Sequence, residues 1–200
     1  MSNFFKNKVV AVTGGSEGIG RGLVELLLQM DAKVATCGRN QDKLYDLQVS
    51  NPSKLLHTMV ADVSNYNDCR NFISSTIKTF GGIDILINNA GITAHGRFDQ
   101  TQPGVAEQAM NLNFFAALYT TQTLLPVMRE TAGQKKIVLV STPSALYGIP
   151  GRFAYSASKA AGHAWMESIR IELKREGFDT LIFCPGYTRT QLRTRGLSAD

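Results

Sequence analysis

Tyr155 and Lys159 stand four residues apart in Tyr155-Ser156-Ala157-Ser158-Lys159, inside a stretch with helical spacing. On a helix, side chains at i and i+4 share a face, so the ammonium lies beside the phenol. A phenol titrates near pH ~10 and exchanges protons poorly at neutral pH unless a cation is close. The pair therefore suggests acid/base chemistry, although the same spacing occurs in helices where the Tyr packs and the Lys is solvated. A second pattern strengthens it. Thr13-Gly14-Gly15-Ser16-Glu17-Gly18-Ile19-Gly20 directly follows a short apolar run. Gly14, Gly18 and Gly20 open a helix where backbone can approach a pyrophosphate and helix N–H groups can meet its charge. Gly20 is followed by Arg21, without a Gly-Lys-Ser/Thr ending, which disfavours ATP hydrolysis.

Those residues need elements to hold them. Lys8 to Thr13 is apolar and β-branched, Ile19 to Met30 has helical spacing and Lys33 to Thr36 is apolar again. Leu55 to Ala61 is a third predicted strand, Tyr66 to Phe80 a helix and Ile83 to Asn88 a fourth strand before Asn88-Asn89-Ala90-Gly91. One long helix is expected from about Val105 to Arg129. Lys136 to Ser141 is a fifth strand, Tyr155 to Glu176 a helix ended by Gly177, and Thr180 to Cys184 a sixth strand stopped by Pro185. Alternating strands and helices call for a parallel sheet covered on both faces with right-handed crossovers. The expected fold class is α/β, a Rossmann-like doubly wound parallel sheet. In such a sheet ligands bind beyond the carboxyl ends of the strands, where the motifs fall.

At the tip of the second strand, a free ribose 2′-hydroxyl usually meets an Asp or Glu, and a 2′-phosphate an arginine. This chain has Cys37-Gly38-Arg39-Asn40, with no carboxylate at the tip. Arg39 can fork onto a phosphate, which favours NADP. Glu17 argues the other way, since it adds negative charge near the adenosine end.

Composition narrows the class. A chain of 200 residues, 44% hydrophobic and 18% charged, suits a single domain over 1–200. Cys37, Cys69 and Cys184 are scattered and odd in number, so neither a disulfide framework nor a zinc site is indicated. His57, His95 and His163 have no ligand spacing, and no metal is expected. The amino terminus runs through Phe4, Phe5 and Lys6 into a short strand without a signal pattern or long apolar segment. A cytoplasmic protein with no membrane partner is expected. The net charge of +5 comes from dispersed Lys and Arg, apart from Arg189, Arg193 and Arg195, so no nucleic-acid partner is expected.

Five motifs in order carry a resemblance: Thr13 to Gly20, Asp62-Val63 after the third strand, Asn88 to Gly91 after the fourth, Tyr155-x-x-x-Lys159, and Pro185-Gly186 after the sixth. Over roughly Lys8 to Thr190 the chain resembles the short-chain dehydrogenase/reductase family. The resemblance implies hydride transfer between NADP(H) and a carbonyl or secondary alcohol, a small-molecule substrate, with Tyr155 as general acid/base. Lys159 would depress the phenol pKa and bond the nicotinamide ribose. Gly14, Ser16, Glu17, Gly18, Ile19 and Gly20 would border the cofactor, Asp62 and Val63 its adenine, and Asn89, Ala90 and Gly91 its adenosine ribose. Pro185, Gly186, Thr188 and Thr190 would lie by the nicotinamide, the two threonines on its carboxamide. Asn113, rather than Asn111, is in register with the family's Asn that holds a relay water. A homodimer or homotetramer is also implied.

Two departures stand out. Where similar enzymes carry a substrate-orienting Ser, thirteen residues before Tyr155, this chain has Thr142, with Ser141 and Ser144 as alternatives. The sequence also stops at Asp200, short of the family's usual length, so either it is incomplete or the substrate-covering segment is short and the sixth strand is an edge. A non-catalytic nucleotide-binding sensor or scaffold on the same fold is the competing expectation.

Overall fold

The computed structural model describes residues 3–131, 133, 135–188 and 196–197. Six parallel strands, β1 (Val9–Thr13), β2 (Lys33–Gly38), β3 (Leu56–Val60), β4 (Ile85–Asn88), β5 (Lys135–Val140) and β6 (Phe178–Phe183), form one sheet in the order β3-β2-β1-β4-β5-β6. The order reverses between β1 and β4, and the motifs gather at that switch point. β1 is buried at all five positions, as a strand covered on both faces must be.

Helices α1 (Gly18–Gln29) and α2 (Gln41–Ser50) cover one face, where Val24, Leu27 and Leu47 pack on Val10, Val12, Val34 and Ile85. The other face is covered by α3 (Tyr66–Phe80), α5 (Ala116–Glu130) and α6 (Phe153–Lys174), through Phe72, Ile73, Leu124, Met128 and Met166. Among the described residues β3 and β6 are the sheet edges, and Leu181 and Phe183 on β6 are exposed.

The sequence reading needs two corrections. α2 was not expected, because only Leu44 and Leu47 of its ten residues are buried and its apolar signal is weak. Asn40 caps it, accepting from the Lys43 N–H at 2.9 Å. The long helix expected from Val105 to Arg129 is broken. It consists of α4 (Pro103–Met110), a π-helical turn over Asn111–Phe115, and α5.

Candidate active site

The turns after the strands converge on a cavity of about 630 Å³, an ordinary size for a small-molecule site. Every predicted site residue that the structure describes lines it, except Asn113. Thr190 lies outside the described residues. Since the cavity crosses the strand ends, Arg39 and Asp62 mark its β2/β3 end and Thr142, Tyr155 and Gly186 its β5/β6 end, with the glycine loop between.

The glycine loop is tied to both neighbouring strands. Thr13 Oγ1 accepts from the N–H groups of Asn89 and Ala90, both at 3.0 Å, and Asn89 Nδ2 donates to the Thr13 and Gly14 carbonyls. The Asn89 side chain is therefore engaged in bracing the loop. A Cβ on Gly20 would stand 2.2 Å from the Gly14 oxygen, so only glycine lets the helix start this close to the loop. Glu17, the residue before α1, makes no side-chain capping bond, whereas α2 and α3 are capped by Asn40 and Asn65. The first amides of α1 thus keep their donors for an anion in the cavity.

At the β2/β3 end the charges are paired and near the surface. Arg39 Nη1 is 3.9 Å from Asp62 Oδ2, and Lys43 on α2 is ion-paired with Glu17. Asp62 also accepts from the Ser64 N–H and hydroxyl. Lys43 was missed in the sequence because it sits four residues beyond Arg39 in the unanticipated α2.

At the β5/β6 end the groups are buried. Lys159 is 6% exposed, and its ammonium donates to the Val140 carbonyl at 3.1 Å, the one hydrogen bond it makes among the described residues. Burial pulls its pKa down to about 8. Two of its three donors remain for a ligand. Burial also raises the Tyr155 phenol above its ordinary value, opposed by a hydrogen bond with Thr142 and by the charge of Arg152. The expectation that Lys159 depresses the phenol is therefore not met in this state, where burial dominates and Arg152 is the cation acting on it.

Thr142 lines the cavity with Tyr155, and its Oγ1 accepts from the Ser144 N–H at 3.3 Å. Ser141 turns away and bonds His163 Nε2 at 2.7 Å, while Ser144 touches Thr142 at 3.4 Å. Asn113 is buried and Asn111 exposed. The π-helical turn sends Asn113 inward. Its Oδ1 accepts from the Ile92 N–H at 2.8 Å, and its Nδ2 donates to the Ile92 carbonyl and to Ser158 Oγ, both at 2.9 Å. A Cβ on Gly91 would lie 2.8 Å from Asn113 Oδ1 and 3.2 Å from Lys159 Nζ. Asn113 thus packs behind Gly91 and Lys159, which line the cavity. Arg152 is the other residue missed, since three positions before Tyr155 nothing in the sequence marks it as inward-facing.

Residues 8–199 match the family described as short chain dehydrogenase. The chain belongs to that family. It is 31% identical over 208 residues to dehydrogenase/reductase SDR family member 7B of Bos taurus, covering 100% of this chain and 64% of that protein. It is 36% identical over 193 residues to 11-beta-hydroxysteroid dehydrogenase-like 2 of Arabidopsis thaliana, covering 94% and 61%. The solved structure of a short-chain dehydrogenase from Streptomyces avermitilis superposes with a TM-score of 0.87 at 31% identity, over 96% of this chain and 71% of that one. The chain therefore spans under two thirds of the length of these two curated relatives. Short-chain dehydrogenases use a nicotinamide cofactor. Among the described residues no helix is long and apolar enough to cross a membrane.

Proposed function

We propose that this chain is an NADP(H)-dependent oxidoreductase that interconverts a carbonyl and a secondary alcohol, with Tyr155 as general acid/base. The observation that carries the reading is a buried Tyr155 in one cavity with Thr142, buried Lys159 and the glycine loop. Gly14, Gly18 and Gly20 with the α1 amides would hold the pyrophosphate, Asp62 and Val63 the adenine side, and Lys159 the nicotinamide ribose. When bound, the reduced nicotinamide supplies the hydride to the carbonyl carbon.

The chain's own part is protonic and positional. The Tyr155 O–H bond breaks, its proton goes to the carbonyl oxygen, and the carbonyl π pair becomes the new O–H bond. Because burial raises the phenol, Tyr155 holds its proton throughout the neutral range, the form needed to donate during reduction. Thr142 orients and polarises the carbonyl through its hydroxyl. Asn113 acts by fixing Ile92 and α6 behind Lys159.

NADP preference rests on Arg39 at the β2 tip, helped by Lys43, whose pairing with Glu17 offsets that carboxylate. Parallel fluorescence titrations with NADPH and NADH test the reading. NADPH is expected to bind at least ~10-fold tighter, a difference of about 1.4 kcal/mol. Equal affinities would remove the NADP assignment, and binding of neither would remove the oxidoreductase reading altogether.

A further inference from the structure

The charged groups lining the cavity do not balance. Glu17 and Asp62 are its acids, and each already has a cation beside it, Lys43 and Arg39 respectively. Two cations are left, Lys159 and Arg152, both at the β5/β6 end. Lys159 is engaged with Val140, and its remaining donors are assigned above to the nicotinamide ribose. Arg152 has no ion pair or side-chain hydrogen bond among the described residues, and the sequence holds no acid between Glu130 and Glu167 to supply one.

Its backbone is held at the start of α6, and its side chain lines the cavity beside Tyr155. The Arg152 N–H donates to the Ile149 carbonyl at 3.0 Å, and its own carbonyl accepts from the Ser156 N–H at 2.9 Å in the first turn of α6. Arg152 also lines a small adjoining cleft with His95, Thr101 and Phe153, a cleft that no residue of the glycine loop lines. It is half-buried, and its charge is felt at the phenol. A partly desolvated guanidinium with open donors is a site for a planar anion, and carboxylate matches its fork.

We propose that Arg152 binds an anionic group on the substrate, so that the preferred carbonyl compound is an oxo acid rather than a neutral ketone. This rests on the oxidoreductase reading for the identity of the reacting group. The carboxylate would sit against Arg152 while the keto oxygen meets Tyr155 and Thr142. Tyr155 and Arg152 are three residues apart at the start of one helix, which sets the spacing that a chain-length series will read.

The test uses matched acid and methyl ester pairs, pyruvate, acetoacetate and levulinate against their methyl esters, with wild type and Arg152→Gln. Calorimetric binding to the protein–NADPH complex is measured beside NADPH oxidation, and the melting temperature of each protein checks folding. For one chain length, wild type is expected to favour the acid by about 10- to 100-fold, the range of one charge-assisted contact. In Arg152→Gln that preference collapses towards unity, and Arg152→Lys restores part of it. Acid binding that depends on Arg152 without turnover would uphold the anion site and sink the oxidoreductase reading. Turnover with no acid preference in wild type, no selective acid binding at any chain length, or equal loss on acid and ester in the folded variant, would overturn the proposal.

Discussion

The two ends of the cavity handle charge in opposite ways. At the β2/β3 end Arg39 and Asp62 are 64% and 39% exposed and face each other, as do Lys43 and Glu17. At the β5/β6 end Lys159 is buried with a single carbonyl partner, and Arg152 has no partner among the described residues. Exposed ion pairs contribute little and exchange partners readily, so the first end can trade one anion for another at small cost. A buried cation with open donors is costly until something fills them. The first end is therefore suited to selecting a ligand and the second to acting on one.

Removing the phenol should have the largest effect. Tyr155→Phe is expected to lower turnover about 10²- to 10⁴-fold while NADPH affinity changes by less than about threefold. Full turnover in that variant would show that the buried end does not carry the proton. Next comes Asn113→Ala, which leaves the Ile92 N–H, the Ile92 carbonyl and Ser158 without their partner. We expect about 2–4 kcal/mol lost in urea denaturation, from buried groups left unmatched. A loss comparable to that of an exposed surface change would mean the wall behind Lys159 can relax.

At the other end, Arg39→Asp and Lys43→Met should each shift the NADPH/NADH affinity ratio by about 10-fold and leave turnover with saturating cofactor little changed. A ratio unmoved in both variants would erase the division between the ends. The smallest effect is in pH dependence. Lys159 titrates at about 8 in the folded chain against an ordinary 10.5. Below the lower value it is charged both folded and unfolded, and the folded state bears the full desolvation cost. Between the two values the unfolded chain binds the extra proton, so this group's contribution to stability improves as pH rises. Lys159→Met should therefore exceed wild type in stability most at pH ~7, with the gap narrowing towards pH ~10. A constant gap across that range would show that the ammonium is not desolvated.

The strands and the site motifs were legible because each is local. β1 is an unbroken apolar run, Gly14 to Gly20 follow it directly, and Tyr155 and Lys159 are one helical turn apart. What the sequence hid depends on tertiary context. α2 buries only Leu44 and Leu47, so Lys43 had no visible element to carry it, although Asn40 was a readable cap. Arg152 had no periodicity to reveal its direction. The balance between burial and neighbouring charge at Tyr155 depends on how deep the ring sits, which spacing alone does not encode.

The π-helical turn at Asn111–Phe115 has a consequence for anyone who edits this chain. A regular α-helix advances about 100° per residue, so a turn wound more loosely acts as an angular offset between α4 and α5. Deleting one residue there would let the helix close into uniform winding with α4 and α5 nearly in their present angular relation, because the wide turn holds about one residue more than an α turn. The inward turn that carries Asn113 towards Ile92 would be what is lost. For this stretch an alignment gap of one residue is absorbed by the winding, whereas the same gap in α5 or α6 would be a rotation.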